Sequence, residues 1–173
     1  MDFISHGLWG GIALGRSSRK SFRLAFLFGI APDVFSFGFV FLGNFVAHGF
    51  EFIHRIGHPP DASQIPAYVH SLYNVTHSLV VFAFAFGVVW LARRRPLWEM
   101  GAWGLHVVVD IFTHTTAFFP TPFLWPVVNV QFNGRAWSDP AIFIPNGVLL
   151  AVLYAVFLWK RRGWPRGARV HEK

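Results

Sequence analysis

Four long apolar runs dominate the sequence, and most polar residues lie between them. A helix needs about 20 apolar residues to cross about 30 Å of hydrocarbon, and each run has roughly that length. The pattern therefore predicts an all-α protein, a polytopic membrane helix bundle with about four transmembrane helices. The predicted spans cover residues 24–47, 75–92, 97–119 and 141–159.

A shorter, glycine-rich apolar run at residues 3–15 precedes these spans. It differs from a cleaved signal peptide, because Asp2 stands where a basic region is expected and no convincing small-residue cleavage site follows. We predict a short interfacial or re-entrant helix, packed on the bundle, that brings His6 to the outer half of the membrane. Residues 1–160 then form a single membrane-embedded helical domain, and residues 161–173 form a basic cytoplasmic tail.

The composition agrees with this membrane location. Only 13% of the 173 residues are charged and 54% are hydrophobic, whereas a soluble domain carries about 25% charged residues. The sequence has no cysteine, which excludes disulfides, thiolate metal ligands and catalytic thiols. Any metal ion must therefore be held by nitrogen and oxygen atoms.

The basic residues are confined to one side of the predicted bundle. The formal net charge is +7, and of 15 Lys and Arg residues only Arg55 and Arg135 fall in predicted outside loops. Basic clusters beside apolar runs are typical of cytoplasmic loops, not of a nucleic-acid-binding face. We predict a multi-pass protein of a bacterial-type inner membrane with a cytoplasmic C-terminus and no nucleic-acid partner, and the oligomeric state stays open. The clusters are Arg16, Arg19, Lys20 and Arg23; Arg93, Arg94 and Arg95; and Lys160, Arg161, Arg162, Arg166 and Arg169.

Ionisable side chains inside the predicted spans are the strongest indication of function. His106, Asp110 and His114 follow one another at intervals of four residues, so they project from one face of an ideal helix. Such groups cost several kcal/mol at membrane depth unless they pair, line a polar cavity or bind an ion. This face is a candidate metal site. His106 alone could still be a core histidine bonded to a backbone carbonyl, and His114 could be a catalytic or loop residue.

Two other predicted spans supply partners for this face. Asp33 follows Pro32 in the first span, and His77 lies near the outer end of the second. No basic residue lies inside any predicted span, so a protonated histidine or a shared metal must compensate the Asp33 carboxylate. His77 could instead cap its helix. The other histidines are expected in loops or the tail, with a helix face shared with His77 as a second possibility for His70: His48, His54, His58, His70 and His171.

Five short motifs occur in order along the chain: His6-Gly7, Ala31-Pro32-Asp33, Thr76-His77-Ser78, His106-x-x-x-Asp110 and Thr121-Pro122-Phe123-Leu124-Trp125-Pro126. This series resembles the membrane-bound metal-dependent hydrolases, a family that includes a bacterial LexA-regulated inner-membrane member. The likeness spans roughly residues 6–126. It implies a helical bundle whose ligand order is similar to that of the zinc-dependent bacterial phospholipases C.

The resemblance also implies a set of metal ligands, with zinc as the expected divalent ion. Asp110, through its second oxygen, and His6 could help to hold another ion, and His114 would be an additional ligand. Two positions depart from the family pattern: many members have a second acid where Phe35 stands and a His-Arg pair where this chain has Leu72-Tyr73. One metal ion is therefore a safer expectation than a full cluster. The ligands implied for that ion are Asp33, His77, His106 and Asp110.

The expected activity is hydrolysis of a phosphoester in a membrane lipid or lipid-linked substrate by metal-activated water. Asp110 and His114 are the candidate catalytic residues. The main alternative is an ion or proton transport protein, since intramembrane acids and histidines also form ion paths. A haem-binding bundle with paired histidine ligands would leave Asp33 and Asp110 without a purpose. A non-catalytic metal protein would fill every coordination position with side chains.

Overall fold

Helices account for most of the chain, and the all-α prediction is confirmed for the part that the structure describes. The structure is a computed structural model, and it describes residues 1–49 and 65–162. No strand occurs within these two ranges. The helices are α1 (Phe3–Leu14), α2 (Arg19–His48), α3 (Ala67–Thr76), α4 (Leu79–Arg93), a 3-10 turn (Trp98–Met100), α5 (Gly101–Thr113) and α6 (Pro140–Arg162).

Two of the described helices are long and apolar enough to cross a membrane. They are Arg19–Ala47 of α2 and Pro140–Lys160 of α6. Helices α3 and α4 are bent by 59° at a short break and count as a third span only if they are taken together. The predicted number of four spans is therefore not confirmed. The expected N-terminal helix is present as α1, a 12-residue apolar helix.

The third predicted span is shorter than its apolar run. The run extends to Phe119, but α5 has 13 residues and ends at Thr113. His114 already has an extended backbone, with φ −115° and ψ 150°, and a single bridge joins Thr115 to Phe118. A helix to Phe119 was therefore the wrong prediction. Hydropathy shows that these residues are apolar, but it does not distinguish a helix from an apolar loop that folds back on the bundle, because both have the same composition.

Side-chain caps define where three of the helices begin. The Asp2 carboxylate accepts a hydrogen bond from the Ser5 amide at the start of α1, and Ser18 caps α2 in the same way. The Ser78 hydroxyl accepts from two amides at the start of α4. Since such caps satisfy amides that have no partner in the helix, Ser78 fixes the break after α3. His77, considered above as a cap at the start of α4, instead follows Thr76 as the C-cap of α3, with φ −103° and ψ 25°.

Helix α1 packs closely against α2 because glycine lies at their crossing. A Cβ atom on Gly29 would lie 2.5 Å from the carbonyl oxygen of His6, so no larger residue fits there without movement. Small residues let helix backbones approach closely in this way. The close approach brings His6 to the centre of the bundle, where it is 2% exposed.

Helix α6 is attached to α1 by polar contacts. The Trp9 indole donates to the Asn146 side-chain oxygen at 2.8 Å, and the Asn146 amide donates to Ser5 Oγ at 3.0 Å. Further along, the Tyr154 hydroxyl donates to the Leu8 carbonyl at 2.8 Å. These contacts hold α6 on the same helix that carries His6.

Candidate metal centre

Four of the predicted ligands come together in the interior of the bundle. Asp33 lies on α2, His77 lies in the break between α3 and α4, and His106 and Asp110 lie on α5. One nitrogen or oxygen atom from each of these residues lies within 4.8 Å of the others. They are therefore close enough to bind a metal ion. We call these four residues the ligand quartet.

The distances within the ligand quartet are short and similar. The Nε2 atoms of His77 and His106 are 3.1 Å apart. Asp110 Oδ2 lies 3.1 Å from His106 Nε2 and 3.5 Å from His77 Nε2. Asp33 Oδ1 lies 3.4 Å from His77 Nε2 and 3.8 Å from His106 Nε2. Each donor atom thus faces the same small volume.

The outer nitrogen of each quartet histidine has its own oxygen partner. His106 Nδ1 lies 2.7 Å from the Gly29 carbonyl oxygen, and His77 Nδ1 lies 3.0 Å from Thr76 Oγ1. A carbonyl oxygen can only accept, so the His106 proton is assigned to Nδ1. In the neutral ring, Nε2 then has its lone pair directed into the quartet. This arrangement is typical of histidines that bind metals, whose other ring nitrogen donates to an oxygen.

A small polar network holds α2 and α3 together beside the quartet. Ser36 Oγ donates to the Pro32 carbonyl at 2.8 Å and lies 2.8 Å from Thr76 Oγ1. The indole nitrogen of Trp103 on α5 donates to the Thr76 carbonyl at 2.6 Å. Because Pro32 has Asp33 as its neighbour and Thr76 has His77, this network fixes two of the four ligands.

His6 and His114 lie on the other side of Asp110. His6 Nε2 is 2.9 Å from Asp110 Oδ1, and the His6 ring stacks on the His106 ring at 3.6 Å. His114 Nε2 is 3.4 Å from the same oxygen, and His114 Nδ1 lies 3.0 Å from the Phe119 carbonyl. His114 therefore reaches Asp110 from the end of α5 and not from a continuing helix face.

The two oxygens of Asp110 differ in their partners. The α-amino group of Met1 donates to Oδ1, which also accepts from the Thr113 hydroxyl at 3.3 Å. Oδ2 is buried and has no hydrogen bond from any described residue. A buried carboxylate oxygen without a donor is costly, and Oδ2 is the oxygen that faces the quartet. The donor set therefore fits a bound cation.

Several residues considered from the sequence lie elsewhere. His70 is on α3 and stacks on Phe119, with ring centroids 4.8 Å apart, and it is not one of the four clustered residues. Phe35 is 62% exposed, which places this departure from the family pattern outside the quartet. Tyr73 is buried and stacks on His77 at 3.8 Å. The His48 side chain and three further histidines lie outside the described residues: His54, His58 and His171.

Comparison with protein-family models, with curated proteins and with solved structures finds no match to this chain. The sequence motifs and the geometry of the quartet are therefore the observations on which a function can be argued.

Proposed function

We propose that this protein is a membrane-embedded, metal-dependent hydrolase that cleaves a phosphoester of a lipid or lipid-linked substrate at the outer half of the bilayer. The observation that carries this proposal is the convergence of two imidazole nitrogens and two carboxylate oxygens on one buried volume, with Asp110 Oδ2 lacking a donor. The resemblance to the membrane-bound metal-dependent hydrolases, with its likeness to phospholipase C, supports the same reaction class.

The donor atoms of the ligand quartet favour zinc. Zinc accepts mixed nitrogen and oxygen ligands in tetrahedral geometry, and its bonds of about 2.0–2.1 Å separate neighbouring ligand atoms by about 3.3 Å. The separations of 3.1 to 3.8 Å within the ligand quartet agree with this spacing. Calcium and magnesium prefer oxygen ligands alone. Imidazole and carboxylate together are therefore better suited to zinc or a similar transition metal.

Asp110 and His114 are the residues that we assign to proton transfer. Asp110 Oδ1 and His114 Nε2 lie 3.4 Å apart, so a proton can be shared between them. The Phe119 carbonyl holds the far side of the His114 ring, which keeps Nε2 directed at Asp110. A bound zinc ion would supply activated water at neutral pH and positive charge opposite a phosphoryl oxygen. His6 and Asp110 Oδ1 could also help to hold a second ion.

We expect a substrate to reach the site at Asp33 and His114. Their side chains are 18% and 14% exposed, whereas those of His77, His106 and Asp110 are at most 1% exposed. The open edge therefore lies between one ligand of the quartet and one residue assigned to proton transfer. Such an edge admits a head group while the rest of the site is protected from water.

The opposite end of the bundle carries the basic clusters. Ser21 near the start of α2 donates to Glu99 at 2.6 Å, and Phe22 stacks on Phe157 of α6 at 5.9 Å. The helix ends that bear the basic residues thus meet at one end. The positive-inside rule supports a cytoplasmic location for that end, so we propose that the C-terminus is cytoplasmic and that the open edge of the site is directed toward the outer leaflet.

The packing of α1, α2 and α5 argues against a transport path. A Cβ atom on Gly10 would lie 2.8 Å from both Ala102 Cβ and the Ala25 carbonyl oxygen, so the three helices pack closely at this point and leave no room for a side chain. An ion path requires polar groups that continue across the membrane. This contact favours a closed reaction site over a channel.

Hydrolysis by purified protein tests the proposal. Zinc-loaded protein in detergent should cleave bis(p-nitrophenyl) phosphate or a diacyl phospholipid, and Asp110→Asn should lower kcat/KM by more than about a hundredfold, since even the loss of outer partners of metal ligands costs 10- to 100-fold. Asp139→Asn is the matched control, because Asp139 pairs with Arg135 in the loop before α6. Bound metal without hydrolysis of any phosphoester would contradict the proposal and favour a structural metal.

A further inference from the structure

A separate cavity lies beside the ligand quartet. It has a volume of about 260 Å³ and is lined mainly by His70, Tyr73, Asn74, Phe118, Phe119 and Gln131. The Tyr73 ring stacks on His77 on one side and lies 6.4 Å from the His114 ring on another. The cavity is thus one aromatic ring away from the metal centre, on the side of its open edge.

Three polar side chains of this cavity are available to a ligand. The side chains of His70, Asn74 and Gln131 form no hydrogen bond with any other described group. An amide group offers both donors and acceptors. Among the described residues, no acid, lysine or arginine lines the cavity. This lining suits a neutral group with hydroxyls better than a charged one.

Two of the three Tyr and Phe rings in the cavity are almost fully buried. Tyr73 is 2% exposed and Phe119 is 6% exposed, whereas Phe118 is 36% exposed. Recognition of a quaternary ammonium group requires several open aromatic faces around the cation. Of these three described rings only Phe118 offers an open face, so they form no cage for a choline head group, which again favours a hydroxylated group.

We propose that this cavity binds the neutral, hydroxylated alcohol portion of a phosphodiester, as in a glycerol head group. The inference rests on the proposed function, since it identifies the substrate class of the same site. The Phe119 carbonyl bonds both Tyr73 of the cavity wall and His114 of the site. A head group held against this wall has its phosphoester beside His114 and Asp110.

Lipid retention in native mass spectrometry tests the cavity without requiring turnover. The zinc-loaded protein in detergent is offered dioleoyl phosphatidylglycerol, dioleoyl phosphatidylcholine and water-soluble glycerophosphoglycerol. We expect the wild-type protein to retain phosphatidylglycerol about tenfold more strongly than phosphatidylcholine. Asn74→Ala and Gln131→Ala should each weaken the binding of phosphatidylglycerol about three- to tenfold, which is the effect of one lost hydrogen bond. Asn129→Ala, in the same loop as Gln131 but outside the cavity, should bind as the wild type does.

The possible outcomes separate this inference from the proposed function. Equal retention of the two lipids, or unchanged glycerol binding in both cavity variants, would overturn the inference even if hydrolysis is observed. Selective, Asn74-dependent binding without hydrolysis would leave the cavity assignment intact and contradict the proposed function. If glycerophosphoglycerol binds as strongly as phosphatidylglycerol, the ligand of the cavity can be a water-soluble phosphodiester. If only phosphatidylglycerol is retained, the ligand is a membrane lipid.

Discussion

Asp110 joins the two parts of the polar centre, because its two carboxylate oxygens have different neighbours. Oδ2 faces His77 and His106 of the ligand quartet, and Oδ1 faces His6 and His114. In the proposed function, this single residue would couple metal binding to proton transfer. Replacement of Asp110 is therefore expected to affect both properties together.

Thr76 tests the role of the outer hydrogen bonds. Thr76→Val keeps the shape of the side chain and removes the oxygen beside His77 Nδ1, so the ring loses its fixed orientation. We expect zinc affinity to fall about 10- to 100-fold, measured by competition with a fluorescent zinc chelator. Thr116→Val, on an exposed loop, is the matched control. Equal zinc affinity in the two variants would show that this bond has no role in orienting His77.

The four clustered residues could be predicted from the sequence as candidate ligands, but their outer partners could not. A charged or titratable residue is conspicuous in an apolar run, as Asp33 and His106 are. Every residue has a backbone carbonyl, so nothing in the sequence distinguishes the Gly29 and Phe119 carbonyls that bond His106 and His114. Only Thr76, as part of Thr76-His77-Ser78, carried a recognisable signal.

At the scale of the helices, the site depends on two interruptions in apolar runs. Ser78 ends the bend between α3 and α4 and so places His77 in the interior. The end of α5 at Thr113 allows His114 to turn back toward Asp110. Hydropathy predicted continuous helices through both points, because average apolarity does not record where a cap or an extended residue stops a helix. The spacing of His106 and Asp110, by contrast, was enough to predict one helix face.

Gly29 tests the close approach of α1 to α2. Gly29→Ala places a methyl group 2.5 Å from the His6 carbonyl, and such overpacking costs about 1–3 kcal/mol. We expect a lower Tm in detergent and a displaced His6. Gly87→Ala is the control, because nothing lies within 4 Å of the added atom, and an added Cβ in a helix stabilises by about 1 kcal/mol. A Tm for Gly29→Ala equal to that of Gly87→Ala would contradict the described crossing.

At the scale of the whole molecule, an apolar surface surrounds a polar centre. Helices α2 and α6 are long and apolar enough to span a membrane, and large side chains such as Phe39 and Trp159 remain 67% and 73% exposed. By contrast, His6, His77, His106 and Asp110 are at most 2% exposed. This distribution of apolar and polar side chains is the reverse of that in a soluble protein, and it is expected where the surrounding solvent is lipid.

Labelling of single cysteines tests the orientation, since the natural chain has none. Ser138→Cys lies in the loop between α5 and α6, and Arg94→Cys lies in the basic turn after α4. In spheroplasts, a membrane-impermeant maleimide should label Ser138→Cys directly and Arg94→Cys only after permeabilisation, because basic turns stay in the cytoplasm. The reverse labelling pattern would place the open edge of the site on the cytoplasmic side.

The metal content of the purified protein tests the central claim most directly. After zinc loading and dialysis, inductively coupled plasma mass spectrometry should find at least about one zinc per wild-type chain, the number that one four-ligand site holds. His106→Ala should lose this zinc, whereas His70→Ala should retain it, because His70 lies outside the ligand quartet. Circular dichroism should show that both variants keep their helices. Zinc-free wild-type protein, or equal zinc in the two folded variants, would contradict the account.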